Sequence, residues 1–309
     1  MAALSDIYNL VTCGLGAVLG TGTKGCKQFL KKASALWFVP DGFIFNGAET
    51  LDETYVQTLQ EQGNLIVLKG ARTFTDNSSE DVIETLEDGT KQVATLGMYE
   101  FALTFINGLA FHAALHSLNS FGSYNVLFVD RDGNILGTKA NNGGLKGFNV
   151  GMLQAMKLSF PTDAVGQKEG LGFQLLTRSE LDINYVYISQ SQLGTFFPQN
   201  VDGINEVTLA FDSVPTDGDT TLVVTAKNKQ NGGAFTGALT ADFLIINDGA
   251  TLAQTVNEAP DGTYTFTVAA LSTGEAITAQ LYNSVDSRSV IVKDVDLYKS
   301  KVVTTTVIA

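Results

Sequence analysis

Charge is scarce in this 309-residue chain: 17% of positions are Asp, Glu, Lys or Arg, against roughly 25% in a typical soluble domain. Little of the surface is expected to carry ion-pair networks, and polar cover falls largely to Thr, Ser, Asn, Gln and Gly. Proline is rarer still, five residues beside 31 glycines, so the turns rest mainly on glycine. No run approaches the ~20 apolar residues of a membrane span, and the reading is of a soluble protein made in the cytoplasm, with no membrane partner. Two histidines leave few general bases, and neither a GxSxG elbow nor a Cys–His–Asn set is present. A chain with no cofactor motif is poor enzyme material, so no catalytic, cofactor-binding or metal-ligating residue is assigned. Cys13 and Cys26 form no CxxC and have no histidine nearby, which argues against zinc. Spacing alone does not decide whether they pair; two free thiols is the simpler reading. Basic residues are also few, 19 against 32 acidic ones, for a net charge of −13. That field argues against a general phosphate-backbone binder. It keeps a protein soluble, and it would let DNA slide past without adhering.

What is present reads as strands and turns. Residues 1–36 combine a glycine-rich piece, "GLGAVLGTGTKGC" (14–26), with the basic "KQFLKKASA". The first lacks the Gly-Lys-Ser/Thr ending of a P-loop, since Lys24 is followed by Gly25. The apolar stretch 10–20 has Asp6 before it and Lys24, Lys27, Lys31 and Lys32 behind, the wrong polarity for a secretory signal. A flexible arm or an assembly contact is the expectation. From "LWFVPDGFIFNG" (36–47) onward, Asp41-Gly42, Asn46-Gly47, Asp88-Gly89 and Asp132-Gly133 punctuate apolar runs. Residues 51–63 predict a helix with Leu51, Tyr55, Leu59 and Val56 sharing a face and Gly63 ending it, followed by a buried strand over 64–70.

A second helix is expected over 108–120, with Leu109, His112, Ala113, His116 and Leu118 falling within about two turns. His112 and His116 stand at i and i+4, a spacing that can present two imidazoles to a metal. Ala113 replaces the glutamate of HExxH and no third ligand is suggested, so packing or surface roles are the expectation. Residues 71–95, with Asp76, Glu80, Asp81, Glu84, Glu87 and Asp88, form the most acidic stretch. They read as a long polar loop or hairpin ordered by a neighbouring subunit.

Strands are expected over 98–108, with Tyr99, Phe101, Leu103 and Phe105 on one side, and over 170–177 and 181–190. Periodicity does not decide between strand and helix for 149–162. Composition shifts near 195–203. Beyond it, six or seven short alternating strands in about a hundred residues predict an immunoglobulin-like sandwich over 201–309 without a disulfide. There Tyr264, Phe266 and Val268 share one face.

The stretch that looks most like chemistry is "NVLFVDRDGNILGT" (125–138). A calcium loop starting at Asp130 would place Asp132 and Asn134 at positions 3 and 5. It then needs glycine at position 6 and glutamate at position 12, where this chain has Ile135 and Asn141. A carboxylate pair for acid–base work would need burial or a like charge to separate the two groups. Asp130 and Asp132 flank Arg131 at an expected hairpin tip, where water keeps both ionised. Asp132-Gly133 between two apolar runs signals a hairpin.

The order of "YEFALTFING", "GLAFHAALHSL", "YNVLFVDRDGNILGT" and "GGLKGFNVG…GFQLLT…YVYI" over residues 36–190 resembles the tail tube (major tail) proteins of bacteriophages. Residues 201–309 resemble the immunoglobulin-like modules appended to phage structural proteins. The resemblance is one of overall texture. It implies a mainly β, β-rich α+β chain: an arm at 1–36, a tail-tube-like β-sandwich or barrel over 37–200 with one or two helices and the polar loop 71–95, and the sandwich 201–309. It implies a structural virion protein, not an enzyme, whose subunits close into rings, commonly hexameric, that stack into a tube. Sheet edges satisfied by neighbours would suit that role, with 1–36 and 71–95 as stacking segments. Partners would be further copies, other tail or neck proteins, DNA passing non-specifically through the lumen, and host-surface glycans at 201–309. Two other readings stay open: another virion component such as a connector, stabilisation or capsid-associated protein, and a carbohydrate-binding surface or adhesin protein.

Overall fold

A computed structural model describes residues 3–10, 30–164, 166–294 and 296–309. The fold is mainly β, built of antiparallel sheets. The chain divides into two compact units, Met1–Val201 and Asp202–Ala309. Cys13, Cys26 and the glycine-rich stretch around them lie outside the described residues.

The arm expected over 1–36 is corrected at both ends. Helix α1 (Leu4–Leu10) buries Leu4 and Ile7 in the core of the first unit, and the Leu4 amide donates to the Glu49 carbonyl at 2.8 Å. Strand β1 (Ala33–Pro40) takes up the other end, because Ala35 and Leu36 are core residues paired with their neighbours.

Helix α2 (Glu53–Glu61) starts where the Asp52 side chain accepts the Tyr55 amide at 2.8 Å, a standard N-cap. Its inward residues are Val56, Leu59 and Gln60, with Tyr55 only half-buried. Strand β2 (Ile66–Lys69) then runs antiparallel to β1.

The centre of this unit is the antiparallel pair of β1 and β7 (Tyr124–Asp130). Both strands are apolar at consecutive positions because each face of the pair meets its own core. Trp37, Val39, Leu127 and Val129 face Leu4, Ile7, Val56 and Leu59. Leu36, Phe38, Val126 and Phe128 face a second, aromatic cluster with Phe101, Phe105 and Phe173. Phe38 meets Phe173 edge-on at 6.1 Å, a favoured aromatic geometry.

Past β7 the sheet forks. Strand β8 (Ile135–Lys139) pairs with the end of β7, and β10 (Phe148–Ala155) with its beginning. One branch adds β9 (Leu145–Lys146) and β12 (Tyr185–Ile188) to β8. The other runs from β10 through β11 (Glu169–Leu175) and β6 (Glu100–Phe105) to β3 (Thr73–Asp76). The ambiguous stretch 149–162 is therefore strand as far as Ala155. Between β11 and β12 a short helix, α4 (Arg178–Asp182), occupies the start of what the sequence predicts as strand.

Helix α3 (Leu109–His116) lies within the expected helix over 108–120. Leu115 and, just beyond the helix, Leu118 are buried, whereas Leu109 is 64% exposed. The helix is apolar almost all round, so composition cannot select a face and the packing against the aromatic core does. Among the described residues, no helix is long and apolar enough to cross a membrane.

The second unit is a two-sheet sandwich. Strands β13 (Ile204–Phe211), β14 (Thr221–Asn228), β15 (Phe243–Asn247), β16 (Ala250–Thr251), β17 (Thr255–Glu258), β18 (Thr263–Thr267), β19 (Ala276–Leu281), β20 (Val290–Lys293), β21 (Asp296–Ser300) and β22 (Val303–Thr306) follow in order. One sheet reads β17-β18-β14-β13-β21-β20, the other β16-β15-β19-β22. With β16, β20 and β21 set aside, seven strands remain in the immunoglobulin order, in which the first, second, fifth and fourth strands oppose the third, sixth and last. The hairpin β20–β21 extends the first sheet, with β21 parallel to β13.

Both sheets contribute to one core, with Leu222, Val224 and Phe266 from one meeting Ile245, Ile277 and Ala279 from the other. Across the sandwich, Phe243 packs on Tyr264 and Phe266 at 4.9 and 5.0 Å. The Tyr264 hydroxyl donates to the Phe235 carbonyl at 2.7 Å, and burial pushes its pKa up to about 12.

Candidate functional site

The turn between β7 and β8 is a hairpin, but Asp130 is not at its solvated tip. It is 1% exposed, and its carboxylate is surrounded by donors. One oxygen accepts the amides of Asp132 at 2.9 Å and Asn134 at 2.8 Å. The other accepts the Asn134 side-chain amide at 2.8 Å and the Lys31 amide at 3.1 Å. Asn134 in turn accepts the Gln190 amide at 3.0 Å, so one carboxylate organises the turn, the approach to β1 and the segment after β12. A carboxylate whose oxygens already face four N–H groups offers nothing to a cation or a substrate proton. Asp132 is exposed. Gly133 takes φ +83, and a Cβ there would meet the Gln199 side-chain oxygen at 2.4 Å.

His112 and His116 do face each other, with Nε2 to Nε2 at 3.2 Å. The Asn119 carbonyl oxygen accepts the Ala155 amide at 2.6 Å, which orients its NH2 group toward His116 Nδ1 at 3.2 Å. His116 Nδ1 is therefore the acceptor, its proton sits on Nε2, and that proton points at His112 Nε2. The facing lone pair is occupied within the pair. Among the described residues no group of three or more His, Cys, Asp or Glu is arranged to hold a metal ion.

The stretch 71–95 divides in two. Its first part is β3, an edge strand whose Phe74 packs on Phe101 at 5.3 Å, so it belongs to the sheet and not to a loop. The remainder forms a separate hairpin of β4 (Val82–Thr85) and β5 (Lys91–Thr95), turning at Asp88-Gly89. Every residue of both strands is exposed. Val82, Ile83, Val93 and the following Leu96 are each more than half exposed. A two-stranded hairpin with no covering layer is marginal in water by itself.

Its base, by contrast, is clamped. Asp81 accepts the Gly97 amide at 2.8 Å and an Arg178 N–H. The Arg178 Nε donates to Asp182 at 2.7 Å, and the Tyr99 hydroxyl donates to the same carboxylate at 2.5 Å. The Gly97 amide, and after it Arg178, hold Asp81 below the usual carboxylate range. Tyr99, and after it Arg178, do the same for Asp182 against the opposing effect of burial. The bond to Asp182 raises Tyr99 in turn. Gly97 has no room for a side chain, since a Cβ would lie 1.9 Å from the Ser79 carbonyl oxygen. Sequence reasoning missed this clamp. Asp81 and Arg178 are 97 positions apart, and no short motif joins them.

No protein-family model matches the chain, and no curated protein matches it in sequence.

Proposed function

We propose that this chain is a structural virion protein that self-assembles into stacked rings forming a phage tail tube, with DNA passing through the lumen. The observation that carries the reading is the hairpin of β4 and β5: held firmly at its base, uncovered along its length, and apolar at Ile83 and Val93, which lie opposite each other. Such an element gains stability when a second copy covers it, because burying those side chains contributes roughly 25 cal/mol per Å2 of apolar surface. Among the described residues β2, β3 and β12 are edge strands, which suits lateral joining of neighbouring sheets. The net charge of −13 suits a conduit to which DNA does not adhere. The second unit would decorate the assembly. Negative-stain microscopy of the purified protein tests the reading: rings or hollow tubes are expected, and Ile83→Asp with Val93→Asp abolishes them while leaving a folded monomer. Strictly monomeric particles at high concentration would overturn it.

A further inference from the structure

We infer that the hairpin of β4 and β5 docks on the far end of strand β6 in a second copy of this chain, a contact that rests on the assembly reading and names the surface it uses. The hairpin continues the ribbon of β3 and β6 outward. Thr73 pairs with Thr104 and Asp76 with Phe101. The Asn77 and Ser79 amides then donate to the Glu100 and Met98 carbonyls at 2.8 and 3.1 Å, and Val82 pairs with Thr95. The hairpin therefore leaves the sheet at the start of β6, and its apolar side chains Ile83 and Val93 lie beyond that end.

At the other end of β6 a second apolar group is uncovered. Ile106 follows the last residue of the strand, and Leu109 opens α3. Phe105 pairs with Glu169, and just ahead of Glu169 the Lys168 carbonyl accepts the Ser159 amide at 3.0 Å, which brings the adjacent Phe160 to this end. Ile106, Leu109 and Phe160 are each at least half exposed. Six residues of β6 hold the two apolar groups about 20 Å apart, and the hairpin runs away from the second group. It cannot fold back on its own chain's group, so a contact between the two joins separate molecules.

Charge selects a second copy as the occupant. The hairpin and its approach carry Glu80, Glu84, Glu87 and Asp88, all exposed, against Lys91. The far end carries Arg72, whose amide donates to the Thr104 carbonyl at 2.8 Å, with Lys157 and Lys168, against Asp163. Glu169 adds little charge to that surface, because it is buried and its carboxylate accepts the Asn107 amide at 2.9 Å and the Gln167 side chain at 2.7 Å. An acidic apolar hairpin and a basic apolar end are complementary in both respects. Because the two patches differ, each contact leaves a free hairpin on one copy and a free receiving end on the other, so the contact propagates. Hairpin against hairpin would set acidic strands together and stop at two copies.

The test mixes two full-length variants and follows their mass by sedimentation velocity. One is Ile83→Asp with Val93→Asp, which keeps the receiving end; the other is Ile106→Asp with Phe160→Asp, which keeps the hairpin. Each alone is expected to stay monomeric with the parent's melting temperature, since the substituted side chains are exposed. An equal mixture is expected to form a dimer of one copy of each and nothing larger, because a single sound contact remains. Lys157→Glu with Lys168→Glu, a second and milder change to the receiving end, is expected to raise the concentration needed for assembly at least ten-fold at low salt. If the parent assembles and either receiving-end variant assembles equally well, the hairpin meets another surface and this inference falls while the assembly reading stands. A mixture that stays monomeric also overturns it. A parent that is itself monomeric overturns both.

Discussion

Asp130 and Asp132 are two residues apart and have opposite roles. Replacing Asp130 with Ala leaves four N–H groups aimed at a missing acceptor, two of them from the buried Asn134. A loss of about 1.5–3 kcal/mol in urea unfolding is expected, the range for hydrogen bonds to a charged group. Asp132→Ala leaves the midpoint where it is, because that side chain is exposed. Equal effects at the two positions would contradict the assignment. The Asp-Gly pair made the hairpin legible. Which aspartate the protein encloses was not legible, because the donors from Lys31 and the contact to Gln190 arrive from 99 and 56 positions away.

For the elements, the clearest consequence concerns the hairpin base. Asp81 and Asp182 both titrate below the ordinary aspartate value near 3.8. Groups depressed on folding contribute stability that is complete above that value and is lost as pH falls through the lower folded values. The protection of residues 82–95 against hydrogen exchange, taken relative to the intrinsic rate at each pH, is therefore expected to hold from neutral pH down to about 5 and to fall below about 4. In Arg178→Ala protection is already low at neutral pH and its acid dependence is weaker. An identical acid profile in parent and variant would remove the clamp from the account. Helix α3 carries the complementary lesson. Its existence is written in "GLAFHAALHSL", but an almost uniformly apolar helix has no preferred face, and only the cluster of Phe105, Phe111 and Leu115 turns it.

At the scale of the whole molecule, each unit closes its own core. The single tryptophan, Trp37, is fully buried in the first, and the second holds its aromatic centre at Phe243, Tyr264 and Phe266. Residues 202–309 made alone are expected to give a β-sheet circular dichroism spectrum and one cooperative melt. Tryptophan emission of the full chain follows unfolding of the first unit only. A fragment with no cooperative transition would show that its core needs the rest of the chain.

The sequence by itself determined the predominance of strands, the composition shift near 195–203, the helix within 51–63, and the shared face of Tyr264, Phe266 and Val268. These depend on local periodicity and turn chemistry, which act over a few residues. Tertiary structure alone decided the forked sheet, the burial of Asp130 and the Asp81–Arg178–Asp182–Tyr99 clamp. Each of these depends on which distant strands meet, and a strand's own residues specify what it can bury without naming the partner that buries it.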